Sequence, residues 1–273
     1  MKKGILFILL LLSLYSCVKK TNWPITGNVP KLIVVDGILT DEPQRQVIRI
    51  TYPTAGLNEI PVPVSGANVV INNEDSTYEL LEIPAGSGLY QTHSNFSAVL
   101  GKNYSLLIFS GEKVYSAKAS MMPGLVFNPL HYVKNDGDNL FHINYVASAF
   151  NTELPAMWEV QLDWSKVAGY EQTDSSLCQK RMLFYTLPTL DVSEIFAPGM
   201  EKISFPAGTH IIEKRYSLSS GHAGFIRTLL SETNWQGGLF CSAPANVLTN
   251  LSSGAIGYFG VCAVTELSFP VTP

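Results

Sequence analysis

The chain has 273 residues, 46% of them hydrophobic and 15% charged, a composition that can bury a core and is unlike that of a disordered or collagen-like chain. Its length fits one or two domains. A net charge of -4 from 18 basic and 22 acidic residues, with no Lys/Arg cluster beyond short pairs, leaves no electrostatic footprint for a nucleic-acid backbone.

Lys2 and Lys3 precede an apolar run from Gly4 to Leu14. At about eleven residues it is too short for the roughly 20 that a membrane-crossing helix needs, so residues 1–16 read as an export signal. The run closes on Leu14-Tyr15-Ser16-Cys17, which resembles the lipobox of bacterial lipoproteins, although Tyr15 is bulkier than the residue usual at its place. That resemblance implies diacylglyceride on the Cys17 thiol, cleavage before Cys17, and fatty acylation, as with palmitate, of the new amine. Two or three acyl chains anchor durably, since each buried methylene contributes about 0.8 kcal/mol. Residues 17–30 then form a lipidated tether, with Pro and Gly in Asn22–Lys31 keeping it irregular. No later stretch is long and apolar enough to span a bilayer, so the lipid is the expected attachment to the membrane.

With Cys17 committed to lipid, Cys178, Cys241 and Cys262 remain, an odd number for an oxidising compartment. One disulfide and one free thiol are expected. Cys262 lies in the apolar run Ile256–Val264 and reads as a small buried hydrophobe. The sequence does not choose among the three pairings, and the leaning is to Cys178 with Cys241. No cysteine or histidine pair has zinc-ligand spacing, so no metal site is expected.

Residues 31–122 read as a β-sandwich domain of immunoglobulin or transthyretin type. The β-branched run Leu32–Val35 ends at Asp36-Gly37, and Gln46–Tyr52 alternates with Ile48 and Ile50 on one face. Ala67–Ile71 and Thr77–Ile83 form a hairpin around a polar turn, followed by Gly88–Thr92, Asn103–Phe109 and Lys113–Ala119. About seven short strands at this spacing suit a sandwich. Gly101-x-x-Tyr104 has the form of a tyrosine corner, with the hydroxyl returning to the backbone. Tyr90 and Tyr104 read as half-buried strand tyrosines rather than a sugar platform.

Residues 123–273 read as a second β-rich domain with one amphipathic helix. Leu140–Val146, Met157–Trp164, Arg181–Thr186 and Thr209–Tyr216 alternate as strands, and Trp158, Val160, Leu162 and Trp164 point one way as a core stripe. Ser219 or Ser220 caps a helix over about 220–234 whose apolar positions Phe225, Ile226, Leu229 and Leu230 recur at helical spacing, and which is expected to pack on a sheet. Ile256–Val264 is apolar enough for a buried closing strand, with Gly257 and Gly260 marking bulges or close backbone contacts.

Five segments, spread over the chain, carry a family resemblance: Pro30–Thr40 (PKLIVVDGILT), Val64–Ile71 (VSGANVVI), Gly88-Leu-Tyr90, Gly101-x-x-Tyr104-x-Leu106 and Asn250–Gly260. Together with the lipobox they are similar to a Bacteroidetes lipoprotein family known as a domain of unknown function and found beside SusC-like TonB-dependent transporters. The resemblance implies an outer-membrane lipoprotein accessory to a barrel, and it brings no catalytic residues with it. Surface-displayed lipoproteins of that phylum carry acidic residues after the cysteine, whereas Val18-Lys19-Lys20-Thr21 follows here, which leaves the membrane face open between periplasm and cell surface.

The catalogued catalytic signatures are missing: no G-x-S-x-G elbow, H-E-x-x-H helix or phosphate-binding loop occurs. His93, His131, His142, His210 and His222 stand alone and read as surface or hydrogen-bonded residues. Asp136-Gly-Asp138 reads as a hairpin turn rather than a calcium loop. Glu159 and Asp163 share the outward face of one strand, roughly 13 Å apart by strand rise, beyond the spacing that glycosidases use. The expectation is a non-enzymatic envelope protein without cofactor, its partners the membrane lipid and a SusC-like barrel. The alternative is a glycan-binding or glycan-hydrolysing lipoprotein resting on Trp158 and Trp164.

Overall fold

A computed structural model describes residues 32–54, 56, 59–189, 202–233 and 246–273. Seven strands come first: β1 (Ile33–Thr40), β2 (Val47–Thr51), β3 (Asn68–Asn72), β4 (Thr77–Glu82), β5 (Leu89–Gln91), β6 (Asn103–Ser110) and β7 (Lys113–Ser120). Next are β8 (His131–Lys134), β9 (Leu140–Tyr145), β10 (Ala156–Asp163), a 3-10 turn at Ser175–Cys178, β11 (Gln179–Thr186), β12 (Phe205–Pro206) and β13 (His210–Ser217). The helix α1 (Ser220–Glu232) and strands β14 (Ala255–Cys262) and β15 (Val264–Pro270) complete the described chain. No helix among the described residues is long and apolar enough to cross a membrane.

The first module is a sheet in the order β14-β1-β2-β5-β4-β3-β6-β7. Its ends approach each other, since Ala117 bridges Leu251 and Met122 bridges Cys262, so the sheet curls around one core. Alternation supplies that core: Ile48 and Ile50 of β2, Ile71 of β3, and Leu106 and Ile108 of β6 are buried, while Val47 and Arg49 face out. The β3–β4 hairpin turns where Asn73 Oδ1 accepts from the N–H groups of Asp75 and Ser76. The tyrosine corner forms as expected: Gly101 has φ +84°, and the Tyr104 hydroxyl accepts from the Val99 N–H at 2.8 Å.

The second module faces a four-stranded sheet, β11-β10-β13-β15, with a three-stranded one, β12-β9-β8. Trp158, Val160, Leu162 and Trp164 meet Leu130, Phe141, Phe205 and Ile211 in its core. The Asp136-Gly-Asp138 segment is the β8–β9 turn, with Gly137 at φ +93° and Asp138 Oδ1 accepting from the Leu140 N–H.

Two readings need correction. The first strand does not end at Asp36-Gly37 but runs to Thr40, because Gly37 is a strand position opposite Ile48, and a Cβ there would fall on the Ile48 side chain. A boundary at 122/123 does not separate the sheets either. The apolar run of β14, counted with the second module, pairs in parallel with β1 from Ile33 opposite Ala255 to Thr40 opposite Cys262. The described residues accordingly form one compact unit.

α1 starts at its Ser219 cap, whose hydroxyl accepts from the His222 N–H, and lays Ala223, Ile226 and Leu230 against Cys262, Leu187 and Leu218 where the two modules meet. Lys214 ties Glu42 and Glu266 together at the same junction.

Gly257 has φ +100°, and a Cβ there would fall on the Val35 carbonyl oxygen, whereas Gly137 with a similar φ meets open space. Gly257→Ala should therefore cost about 3 kcal/mol or more in urea unfolding, and Gly137→Ala only about 1 kcal/mol.

Candidate binding surface

The strand period of β10 sends Trp158, Val160 and Leu162 into the core and Glu159, Gln161 and Asp163 to the other face, where Glu159 is itself buried at 5% exposure while Gln161 and Asp163 are half-buried. Flanked by β11 and β13, these polar residues line an open hollow of about 440 Å³ together with Gln179, Lys180, Arg181 and His210. Glu159 is its centre. Arg181 grips it bidentately, Nε to Oε1 at 2.8 Å and Nη2 to Oε2 at 2.7 Å, while Gln161 Nε2 donates to Oε1 and the Tyr216 hydroxyl to Oε2. The Arg181 hydrogen bonds outweigh burial and hold the Glu159 carboxyl below its usual range. Asp163 is also lowered, by the Ser165 hydroxyl and N–H that it accepts and then by Gln179.

Both carboxylates are thus ionised near neutrality, which suits neither to act as a general acid, and each Glu159 oxygen already accepts two hydrogen bonds while Asp163 Oδ2 accepts one, from Gln179.

The residues singled out in the sequence are dispersed. Trp158 and Trp164 are each 7% exposed and belong to the core, so they form no stacking shelf. Tyr90 and Tyr104 are core residues, Tyr90 donating to the Val64 carbonyl at 2.7 Å. His131 meets Asn144, His142 meets Asn135, His210 meets Ser268, and His93 lies beside Tyr78. His222 is buried on α1, stacked on Tyr258 at 4.6 Å with Cys262 Sγ 3.7 Å from Nδ1. Burial pushes this imidazole down to about 4 and the thiol up to about 12, so the contact joins a neutral ring to an intact thiol, not an activated nucleophile to its base. Cys178 and Cys262 are buried free thiols. Cys17 and Cys241 lie outside the described residues, and with Cys241 the pairing to Cys178. Among the described residues no cluster of His, Cys, Asp and Glu is arranged to hold a metal.

Two charged residues escaped the sequence reading. Glu213 and Arg215 share the inward face of β13 with Ile211 and Ser217, hidden in a run, His210–Tyr216, that reads as amphipathic whichever face is buried. Glu213 is fully buried; its Oε2 accepts from the Leu130 N–H at 2.8 Å and its Oε1 has no partner. Arg215 lies over the Trp158 ring, its guanidinium carbon 5.6 Å from the centroid. No ion pair joins the two, or either to another group, among the described residues. The signal that could have found them is the phase of Ile211 against the β10 stripe, which fixes the buried face of β13.

Together the two sheet assemblies and the helix α1 define a mostly-β protein of two joined modules. The chain belongs to the family described as Domain of unknown function (DUF4249), whose model matches residues 20–268. No curated protein matches it. Among solved structures it is similar to a two fibronectin type-III domain segment from chicken tenascin, at 13% identity over 69% of this chain and 90% of that one, with a TM-score of 0.20.

Burial pushes the Glu213 carboxyl from 4.5 up to about 7. The folded protein therefore keeps this proton where the unfolded chain has lost it, so the stabilisation is full below about pH 4.5 and is lost as pH rises through about 7. Glu213→Gln should match the parent in urea unfolding at pH 4.5 and exceed it by about 2 kcal/mol at pH 8.

Proposed function

We propose that the chain is a lipid-anchored cell-envelope protein that works by holding a partner rather than by catalysis, as an accessory of a SusC-like TonB-dependent transporter in the outer membrane. The observation that carries this reading is the N-terminal order of Lys2-Lys3, the short apolar run and Leu14-Tyr15-Ser16-Cys17, followed by a tether that leads into folded β modules. The outer sheet supports it: the hollow around Glu159 has its acids locked in hydrogen bonds, and β11 and β15 end their sheet with one side unpaired among the described residues. Polar faces and strand edges are the features that another β-rich protein docks against.

Cys17→Ala should leave unprocessed or soluble protein, read by membrane fractionation and intact mass; unchanged membrane association would refute the anchor. Crosslinking in outer membranes followed by affinity recovery should bring down a transporter barrel, and charge reversal at the hollow, Lys180→Glu, should lower that yield severalfold. Recovery of the protein alone, together with measurable polysaccharide binding, would replace the accessory reading with the glycan-binding one.

A further inference from the structure

Arg215 is 5% exposed, and no carboxylate lies within ion-pair range of it among the described residues. Its donor fork is only partly used: Nη1 donates to Ser217 Oγ at 2.7 Å and Nη2 to the Leu154 carbonyl at 3.3 Å, two bonds from a group with five N–H donors. The ring beneath it is fixed, since the Trp158 indole N–H donates to Thr186 Oγ1 at 2.9 Å. A buried guanidinium keeps its proton, so its charge stands in an apolar setting without a counter-ion, an arrangement that costs several kcal/mol by general estimates.

Two cavities, of about 190 and 70 Å³, meet at this residue and share Arg215, Leu125 and Leu154. The larger has room for about six water-sized groups. Val126, 93% exposed, stands at its mouth, and Asn151 supplies a polar wall. Asn151 Oδ1 accepts from the N–H groups of Glu153 and Leu154, which leaves its amide nitrogen to donate. Glu153 lines the smaller cavity without pairing to Arg215.

We propose that this cavity binds a small monocarboxylate carrying a short apolar chain, the carboxylate on the Arg215 fork beside the Asn151 amide and the chain along Leu125, Val126 and Leu154. One cation selects one negative charge. A dianion such as phosphate would bring a second charge, and the lining holds no second cation to neutralise it. A neutral amide would leave the guanidinium unpaired.

Butyrate is the probe, titrated into the full mature protein and followed by calorimetry and by tryptophan fluorescence, to which Trp158 reports directly. One saturable site is expected, with butyramide and inorganic phosphate each weaker by about tenfold or more. Arg215→Met keeps the side-chain bulk without the charge and should weaken butyrate by about tenfold or more while circular dichroism stays that of the parent. Val126→Trp fills the mouth without touching the arginine and should lose butyrate as well, which keeps the test decisive if Arg215→Met does not fold. Absence of saturable butyrate binding, equal binding of butyrate and butyramide, tighter binding of phosphate, or parental butyrate affinity in Val126→Trp would each overturn the proposal.

Discussion

The parallel pairing of β14 with β1 is the constraint on which the rest of the structure depends. It brings residues 255–262 back beside residues 33–40, so everything from β8 to α1 is inserted, topologically, between the seventh and eighth strands of the first sheet. Only Ala263, itself buried, separates β14 from β15, which joins the edge of the second four-stranded sheet beside β13. The chain therefore passes from one sandwich into the other within a single residue. Such a crossing leaves no linker in which the modules could swing. Gly257 is what lets the two strands approach, because the Val35 carbonyl occupies the space of its missing side chain.

That crossing is reinforced by polar contacts that reach across the same seam. Asp41 Oδ1 accepts from the Val264 N–H at 2.8 Å, and Lys214 of β13 meets Glu42 just past β1. α1 then covers the outer side of β14, with Gly260 making room for the His222 ring. The helix covers the seam, with its histidine neutral and the neighbouring Cys262 thiol fully buried. With the seam closed, the hollow over β10, β11 and β13 lies on the face of the sheet opposite the buried Trp158–Trp164 stripe.

Most strands were legible because one face of each sheet is buried and the other is wet, so period-two alternation survives in β2, β6 and β10. The helix was legible from its Ser219 cap and its apolar spacing. What alternation cannot encode is which sheet a strand joins. β14 is buried almost throughout and reads as a closing strand for any core, and its partner, β1, lies more than two hundred residues away in the sequence. Gly37 misled for a related reason, since a glycine that makes room for Ile48 and a glycine that turns the chain look alike in sequence. Around the hollow, Glu159 and Asp163 were visible as carboxylates sharing one strand face, but the grip of Arg181 depends on the β10–β11 register, which places Gln161 opposite Arg181 and Glu159 two residues along, diagonally across from it.

Glu213 and Arg215 show a different kind of silence. They stand two residues apart on one buried face with opposite charges, and the simplest arrangement would be to pair them. Instead Glu213 turns to the Leu130 N–H and Arg215 lies along Trp158 toward Leu154, in separate surroundings. Burial raises the pKa of the acid to about 7 and lowers that of the guanidinium, so the acid can shed its charge by taking a proton while the arginine remains cationic. The two do not cancel, and packing does not require either, since apolar residues of similar size at such positions are commonly neutral or stabilising. A core built mainly from Trp, Val, Leu, Ile and Phe does not need a cation at the floor of a cavity in order to pack. A cost of that kind, placed where an open mouth, an amide donor and an apolar wall converge, is accounted for once an anion occupies the space.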